Sequence, residues 1–308
     1  VQRYGHGILE HLNLENEIVQ PTGTFTPTTH WWEQVSLPAF LKRNGSPLLL
    51  NFCNTAPSNY TNQIVTVHDM AVFENPNWFS KAFANYYQLL IPKICRNARH
   101  IVTVSDFSKA EIIRHLKVDA DKISVIPSAV DNHLTKLKPS VVKSLLNTRY
   151  VLMVGSPDDR KNMAFVIEHA GHMLQQLGYG LVVAGNKRHN LKSKSLNLHQ
   201  VRWVIDANDH QLAWLYSNSS LVIHPSLYEG FSLIPHEARA FGKPTLLSDI
   251  AVHRDLNREA STYFKPRDPK HLRSQLELAL HAGPGEIKST SFIESAQLWK
   301  ALIQKINT

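Results

Sequence analysis

Two apolar periods alternate along the chain. Short apolar runs bounded by turn residues stand at Pro47–Cys53, Gln63–Val67, His100–Val104 and Lys122–Ile126. Each predicts a buried strand. Between the last two, Ser105 is a fair N-cap for a helix to Leu116, and Ser108-Lys-Ala-Glu111 has the spacing of a capping box. Asn77–Ala98 is long enough for a helix, broken or kinked at Pro92. Periodicity lapses from Pro127 to Ser140, which marks a linker. It restarts with strands at Tyr150–Val154, Leu181–Ala184, Val201–Ile205, Leu221–His224 and Thr245–Ser248. Helices are predicted among them at Asn162–Leu177, Asp209–Ser217 and Pro235–Phe241, then at Pro269–His281, and Ser291–Ile306 is amphipathic.

Strands separated by helices predict parallel βαβ units. The expected organisation is therefore α/β: one Rossmann-like domain over 1–136, a second over 137–290, and a closing helix over 291–308. Two such halves imply a cleft between two parallel sheets. Open α/β sheets bind ligands at the carboxyl ends of their strands, so the cleft suits a two-substrate reaction.

Composition narrows the function. Of the 308 residues, 43% are apolar and 19% charged, an ordinary globular balance that excludes a disordered chain, a coiled coil or a collagen-like fibre. No apolar run reaches membrane-spanning length, and no signal-peptide pattern is seen. Two cysteines, Cys53 and Cys95, form no CxxC, and with them a reducing, cytoplasmic setting is expected. The net charge is +8, and residues 137–308 carry 21 of the 33 basic and 14 of the 25 acidic side chains. That excess fits nucleic acid, an acidic membrane surface or a phosphorylated ligand. No nucleic-acid module is present, and the densest cluster, Lys187 to Lys194, lacks aromatic interleaving. Among 17 histidines there is no HExxH, so no metal site is expected.

The candidate chemistry lies in Ser226-Leu-Tyr-Glu-Gly-Phe-Ser-Leu-Ile-Pro-His-Glu237. It follows a strand and opens a helix, with Pro235 suited to the first turn. The backbone N–H groups of Glu229–Leu233 then face outward beside a positive helix end, an arrangement that binds phosphate. Gly230 permits close backbone approach. Glu237 in the first turn is electrostatically favoured and placed to accept from sugar hydroxyls. Taken alone, two glutamates eight apart read more simply as a helix-start acid and a solvated loop residue; the surrounding context changes that reading.

The run His224-Pro-Ser-Leu-Tyr-Glu-Gly-Phe-Ser-Leu-Ile-Pro-His-Glu-Ala resembles the E-x7-E signature of family 4 retaining glycosyltransferases, which have the GT-B fold. Val154-Gly-Ser-Pro-Asp-Asp-Arg-Lys-Asn162 resembles the family's strand, loop and helix start. Val102–Lys109, Val125–Asp131, Thr66–Asp69 and Ser248–Asp255 follow the family's order as well. The likeness covers most of residues 45–285. It implies that Glu229 contacts the donor sugar hydroxyls and Glu237 the nucleotide ribose. Gly230, Phe231, Ser232 and Leu233 complete the donor loop, and Arg160 and Lys161 hold the diphosphate. Basic residues are unfavourable at a helix start, so something anionic belongs there. His68 is placed beside the donor sugar, with a buried structural histidine as the plain alternative. Two departures stand out: Val1–Leu9 already reads as the first helix, so the family's first strand and glycine loop are missing from the order, and Ser232 stands where glycine is commoner.

The resemblance implies a metal-independent hexosyltransferase with no cofactor beyond its nucleotide-sugar donor, first GDP-mannose and then UDP-glucose or UDP-GlcNAc. Its acceptor is a glycan or lipid-linked glycan in polysaccharide or O-antigen assembly. The alternatives are another GT-B enzyme, an epimerase or phosphorylase, or a non-catalytic subunit. Aromatics beside cations in Asn77–Arg96, including Trp78, Phe79, Phe83, Tyr86 and Tyr87, predict peripheral contact with the inner membrane face, against core packing of the same rings.

Overall fold

A computed structural model of the chain describes residues 2–21, 26–130, 133–185, 201–286 and 289–307. They form two compact units, Val1–Ala129 with Thr290–Thr308, and Val130–Ser289. The division falls after Ala129 rather than after Lys136. The basic cluster Lys187 to Lys194 lies outside the described residues.

The first unit is built on four parallel strands in sequence order: Leu49–Asn51 (β1), Gln63–Thr66 (β2), His100–Thr103 (β3) and Ile123–Val125 (β4). Ile64 lies beside His100, Val65 beside Ile101 and Val102 beside Ser124. Every residue of β2 is buried, the polar Gln63 and Thr66 as well as Ile64 and Val65, as in a parallel strand covered on both faces. On one face Val65, Ile101 and Ile123 pack against Leu90, Ile91, Ile94 and Ile112 of the helices Lys81–Asn97 and Asp106–Leu116. On the other, Ile64 and Val102 meet Tyr4, Ile8 and Leu12 of the helix Gln2–Leu12, and Trp299, Leu302 and Ile303 of the helix Phe292–Asn307. The C-terminal helix thus belongs to the first unit. Trp299, fully buried, donates from Nε1 to the Tyr4 hydroxyl at 3.2 Å. A Cβ on Gly7 would lie 2.3 Å from the Phe292 ring, so this helix pair needs glycine there.

Two local expectations are corrected. The cap of the Asp106–Leu116 helix is Ser105, whose hydroxyl accepts from Ser108 N at 3.0 Å, and Glu111 accepts from Arg114 instead of closing a capping box. Lys81–Asn97 runs through Pro92 unbroken, because Ile91, Ile94 and Cys95 on its inner face are held in the core. The helices Thr26–Trp31 and Leu37–Arg43, and the five-residue π-helix Trp32–Ser36 between them, stand where the pattern predicts no element.

The second unit has six parallel strands: Tyr150–Val154 (β5), Gly180–Ala184 (β6), Val201–Val204 (β7), Leu221–His224 (β8), Thr245–Ser248 (β9) and Thr262–Phe264 (β10). Their order is β10-β9-β8-β5-β6-β7. Met163, Val166, Ile167, Ala170 and Leu174 of the Met163–Gln176 helix cover Val151, Met153, Leu181 and Val183. The chain direction of the order reverses between β5 and β8, so the loops leaving their carboxyl ends diverge and open a crevice. Beside it, a Cβ on Gly185 would sit 2.0 Å from the carbonyl oxygen of Gly155, itself at φ +125°. Only glycine lets these two strand ends come so close.

Trp299→Ala is expected to lower the unfolding free energy by about 3–5 kcal/mol, as for other fully buried aromatics. Chemical denaturation of the full chain checks this. A loss below ~1 kcal/mol would mean that the C-terminal helix does not close the first sheet.

Candidate active site

The loops after β5 and β8 bring three of the expected residues together. After β5, the Asp158 side chain caps a single 3-10 turn, Asp159–Lys161, by accepting from Lys161 N at 3.0 Å. Asn162 then takes a left-handed conformation, and the Met163–Gln176 helix begins. The turn is stitched to the loop after β8: Leu227 N donates to the Arg160 carbonyl at 2.8 Å, and Arg160 Nη1 donates to the Tyr228 carbonyl at 2.9 Å. Both cationic side chains end on Glu229. Lys161 Nζ lies 2.5 Å from Oε1 and Arg160 Nη1 3.1 Å from Oε2. The anion that basic residues at this turn call for is, in this structure, Glu229 itself.

Glu229 is 8% exposed. Burial alone would push its carboxyl up, but Lys161, the hydrogen bond from His224 and Arg160 outweigh it and hold the group well below the usual carboxylate range. His224 closes the cluster from behind, its Nε2 3.3 Å from Glu229 Oε1. Burial lowers the His224 ring despite the carboxylate beside it. It therefore donates to Glu229 as a neutral imidazole.

A second layer holds the loop. His253 Nδ1 lies 2.8 Å from the Ser248 carbonyl, so Nδ1 carries the proton and Nε2 accepts from Ser232 Oγ at 3.2 Å. Ser248 Oγ donates in turn to the Ser226 carbonyl. Ser232 sits at φ +75°, in the left-handed region that favours glycine. Its hydroxyl bond to His253 offsets the strain. This conformation also starts the helix at Leu233, two residues before Pro235. Glu237 consequently lies one turn in, outside the first turn, and its Oε2 accepts from the Tyr216 hydroxyl at 2.7 Å. Burial, then the charge of Glu237, keeps Tyr216 protonated well above its ordinary range. The Phe231 ring is buried and stacks on His236 at 5.2 Å, so only its backbone is available to a ligand. Leu233 is exposed and Gly230 is buried.

His68 belongs to the first unit. Its Nε2 donates to the Phe52 carbonyl at 2.8 Å, its backbone N–H to Asn54 Oδ1 at 2.7 Å, and its ring meets Tyr4 edge-on. Burial lowers it, opposed by the Phe52 carbonyl. The sequence reading singled out neither His224, His253 nor Tyr216. A histidine at the carboxyl end of a parallel strand, as His224 is, was the available signal.

Three carboxylate or imidazole groups converge elsewhere, at Glu74, Glu111 and His115. Arg114 already occupies both glutamates, at 2.5 and 2.6 Å. Among the described residues no helix is long and apolar enough to cross a membrane.

Two family models match the chain: glycosyl transferases group 1 over residues 138–299, and glycosyltransferase family 4 over 29–134. The first alone spans more than half of the sequence, and the chain belongs to the group 1 glycosyl transferases. It is similar to the O-antigen chain mannosyltransferase RfbU of Salmonella typhimurium, 27% identical over 255 residues that make up 79% of this chain and 67% of that protein. O-antigen chain mannosyltransferase B of Escherichia coli is 25% identical over 226 residues, 69% of this chain and 59% of that protein. In fold the chain is similar to WaaG, a glycosyltransferase involved in lipopolysaccharide biosynthesis, with a TM-score of 0.69 at 14% identity over 97% of this chain and 91% of that one. The two parallel-sheet units are those of the GT-B class, as the sequence resemblance implies.

The buried histidines make a pH prediction. His253 is lowered to about 3 by burial and by His224, and His236 to about 4 by burial and Arg239; His224 is lowered too. Below their ordinary value near ~6.5 the unfolded chain takes up protons that the folded unit refuses. Stability is therefore full above that pH and falls as pH drops toward the folded values, each histidine adding a slope of ~1.4 kcal/mol per unit. Glu229, with its depressed value, loses its contribution only at more acidic pH. Denaturation midpoints between pH 7 and ~4.5 should fall steadily, and H253Q should flatten the slope. An unchanged slope in H253Q would contradict the assignment.

Proposed function

We propose that this group 1 glycosyl transferase moves a hexose from a nucleoside diphosphate sugar to a glycan hydroxyl, with retention at the anomeric carbon. The observation that carries the reading is the meeting of Arg160, Lys161 and Glu229 at the crevice between β5 and β8. With His224 neutral, two cations face one carboxylate, and the surplus positive charge suits a diphosphate. Arg160 and Lys161 take up the charge that develops as the diphosphate leaves, without a metal. Glu229 orients donor sugar hydroxyls. Glu237, steadied by Tyr216, accepts from the ribose hydroxyls. His68 is read as presenting Nδ1, the acceptor nitrogen left by its bond to Phe52, toward a sugar. The departing diphosphate itself deprotonates the acceptor on the same face through an oxocarbenium-like state, with no protein nucleophile.

Mannose from GDP-mannose is the preferred donor, supported by the two O-antigen mannosyltransferase relatives. UDP-glucose and UDP-GlcNAc are the next arms of any donor panel. The acceptor reading is a lipid-linked glycan in polysaccharide assembly, reached from the cytoplasm by peripheral contact with the membrane. On the helix Lys81–Asn97, the exposed side chains Leu89, Lys93 and Arg96 recur at helical spacing toward its C-terminal end and support that contact. Trp78 and Phe79 are half-buried and contribute less.

Lys161→Ala is expected to cut turnover by about 100-fold or more, with activity surviving EDTA. A strict divalent-ion requirement in the intact enzyme would overturn the charge-only account. Flotation with anionic liposomes at low salt tests the membrane contact, and L89E should abolish it. Protein left wholly at the bottom would remove the membrane reading and leave the transferase standing.

A further inference from the structure

The first unit holds a second concentration of chemistry, at the carboxyl end of β1. Glu33 lies on the π-helix Trp32–Ser36, a rare wide-turn element that often marks functional positions. Its Oε1 accepts from Thr55 Oγ1 at 2.9 Å and its Oε2 from Gln34 Nε2 at 3.3 Å. The Gln34 amide is itself fixed, donating to the Ala56 carbonyl at 2.8 Å and accepting from Ser58 N at 3.0 Å. Among the described residues no lysine or arginine pairs with Glu33. Its side-chain hydrogen bonds come from the neutral donors Thr55, Gln34 and Asn51, and a carboxylate that can accept about four keeps room for one more. Burial raises the Glu33 carboxyl, with Thr55, Gln34 and His30 pulling it back.

An aromatic strip leads to this carboxylate. Phe79 stacks on Phe83 at 5.2 Å, Phe83 on Tyr87 at 4.1 Å, Tyr87 meets Tyr86 edge-on at 5.5 Å, and Tyr86 meets His30 at 5.2 Å. Glu33 follows His30 by three residues in consecutive helical turns, which brings the carboxylate to the His30–Tyr86 end of the strip, and burial, then the charge of Glu33, raises the Tyr86 and Tyr87 hydroxyls. Phe83 and Tyr86 are 40% and 37% exposed, so the strip is open at its surface. A pyranose ring presents apolar C–H faces and polar hydroxyl edges. An open aromatic face beside a held carboxylate matches both.

We propose that Glu33 and the rings of Tyr86 and His30 seat a sugar ring of the glycan acceptor, Glu33 accepting from a ring hydroxyl. The choice of ligand rests on the transferase reading. Glu33 is a positioning residue here, since the departing diphosphate takes the proton. The same helix then serves both ends of a lipid-linked acceptor: from Tyr86 to Arg96 it runs ~15 Å, from the sugar seat to the cations that would meet the membrane.

The test is saturation-transfer NMR on the full chain with methyl glycosides of mannose, glucose and GlcNAc, with GDP and UDP titrated in parallel. Hexoside binding should weaken by about ten-fold or more in E33Q, which loses the charge on the accepting oxygens. Y86A, a surface change, should weaken it as well, and both variants should bind nucleotide as the wild type does. With acceptor glycan, E33Q should raise KM far more than it lowers kcat and leave donor hydrolysis unchanged. Hexoside binding equal in wild type and both variants would overturn the proposal, as would no hexoside binding by a wild type that binds nucleotide. A wild type that binds hexoside through Glu33 but no nucleotide would overturn the transferase reading and leave this seat standing.

Discussion

A carboxylate buried at the reversal point of a parallel sheet is the constraint around which the second unit is arranged. Removed from water, Glu229 would give up its charge unless cations and hydrogen bonds met it. Lys161 and Arg160 meet it from the loop after β5, and His224 from the end of β8. To bring both cations to one carboxylate, the chain makes a single 3-10 turn capped by Asp158 and leaves it through a left-handed Asn162. To hold the carboxylate itself, the loop accepts a left-handed Ser232, anchored by His253 and Ser248. The glycine pair Gly155 and Gly185 lets the neighbouring strand ends close behind the turn.

The same arrangement has the charge balance that the proposed diphosphate site calls for. Because burial keeps His224 and His253 neutral, they lend hydrogen bonds without adding charge. The cluster is left with one positive charge more than Glu229 offsets. In the proposed reading, a diphosphate entering the crevice would exchange a protein carboxylate for a ligand anion without a fresh desolvation of Arg160 and Lys161, and would release Glu229 toward sugar hydroxyls. This is preorganisation in the sense that matters for catalysis: the charges are in place before the leaving group develops its own.

Much of the fold was legible in the order of apolar runs, because strands buried on both faces leave continuous signals. β2, β5, β8 and β9 stand where such runs predict them. What was illegible has physical causes. β10 is three residues long and the Ala251–Asn257 helix seven, too short for a period to declare itself. Pro92 reads as a breaker in one dimension and is carried by core contacts in three. The helix after the glutamate loop was started at Pro235 because proline favours a first turn, whereas the strained Ser232 starts it at Leu233. Glu229, Arg160 and Lys161 were put forward through motif resemblance, and the fold brings the three together. His224 and His253 were not: His224 offered only its place at the end of a strand, and His253 lies in a helix too short to show which face is buried. Glu33 lies in a stretch with no clear period, and only the fold shows what surrounds it.

The most direct measurement is a thermal-shift panel of nucleoside diphosphates and their sugars on the intact protein. Ligand at 100-fold over its dissociation constant adds ~2.7 kcal/mol of apparent stability. A cooperative upward shift with GDP or UDP, lost when Arg160 and Lys161 are both replaced by alanine, is the predicted result. No shift with any nucleoside diphosphate, or an equal shift in the double variant, would contradict the account of the crevice between β5 and β8 as a nucleotide-sugar site.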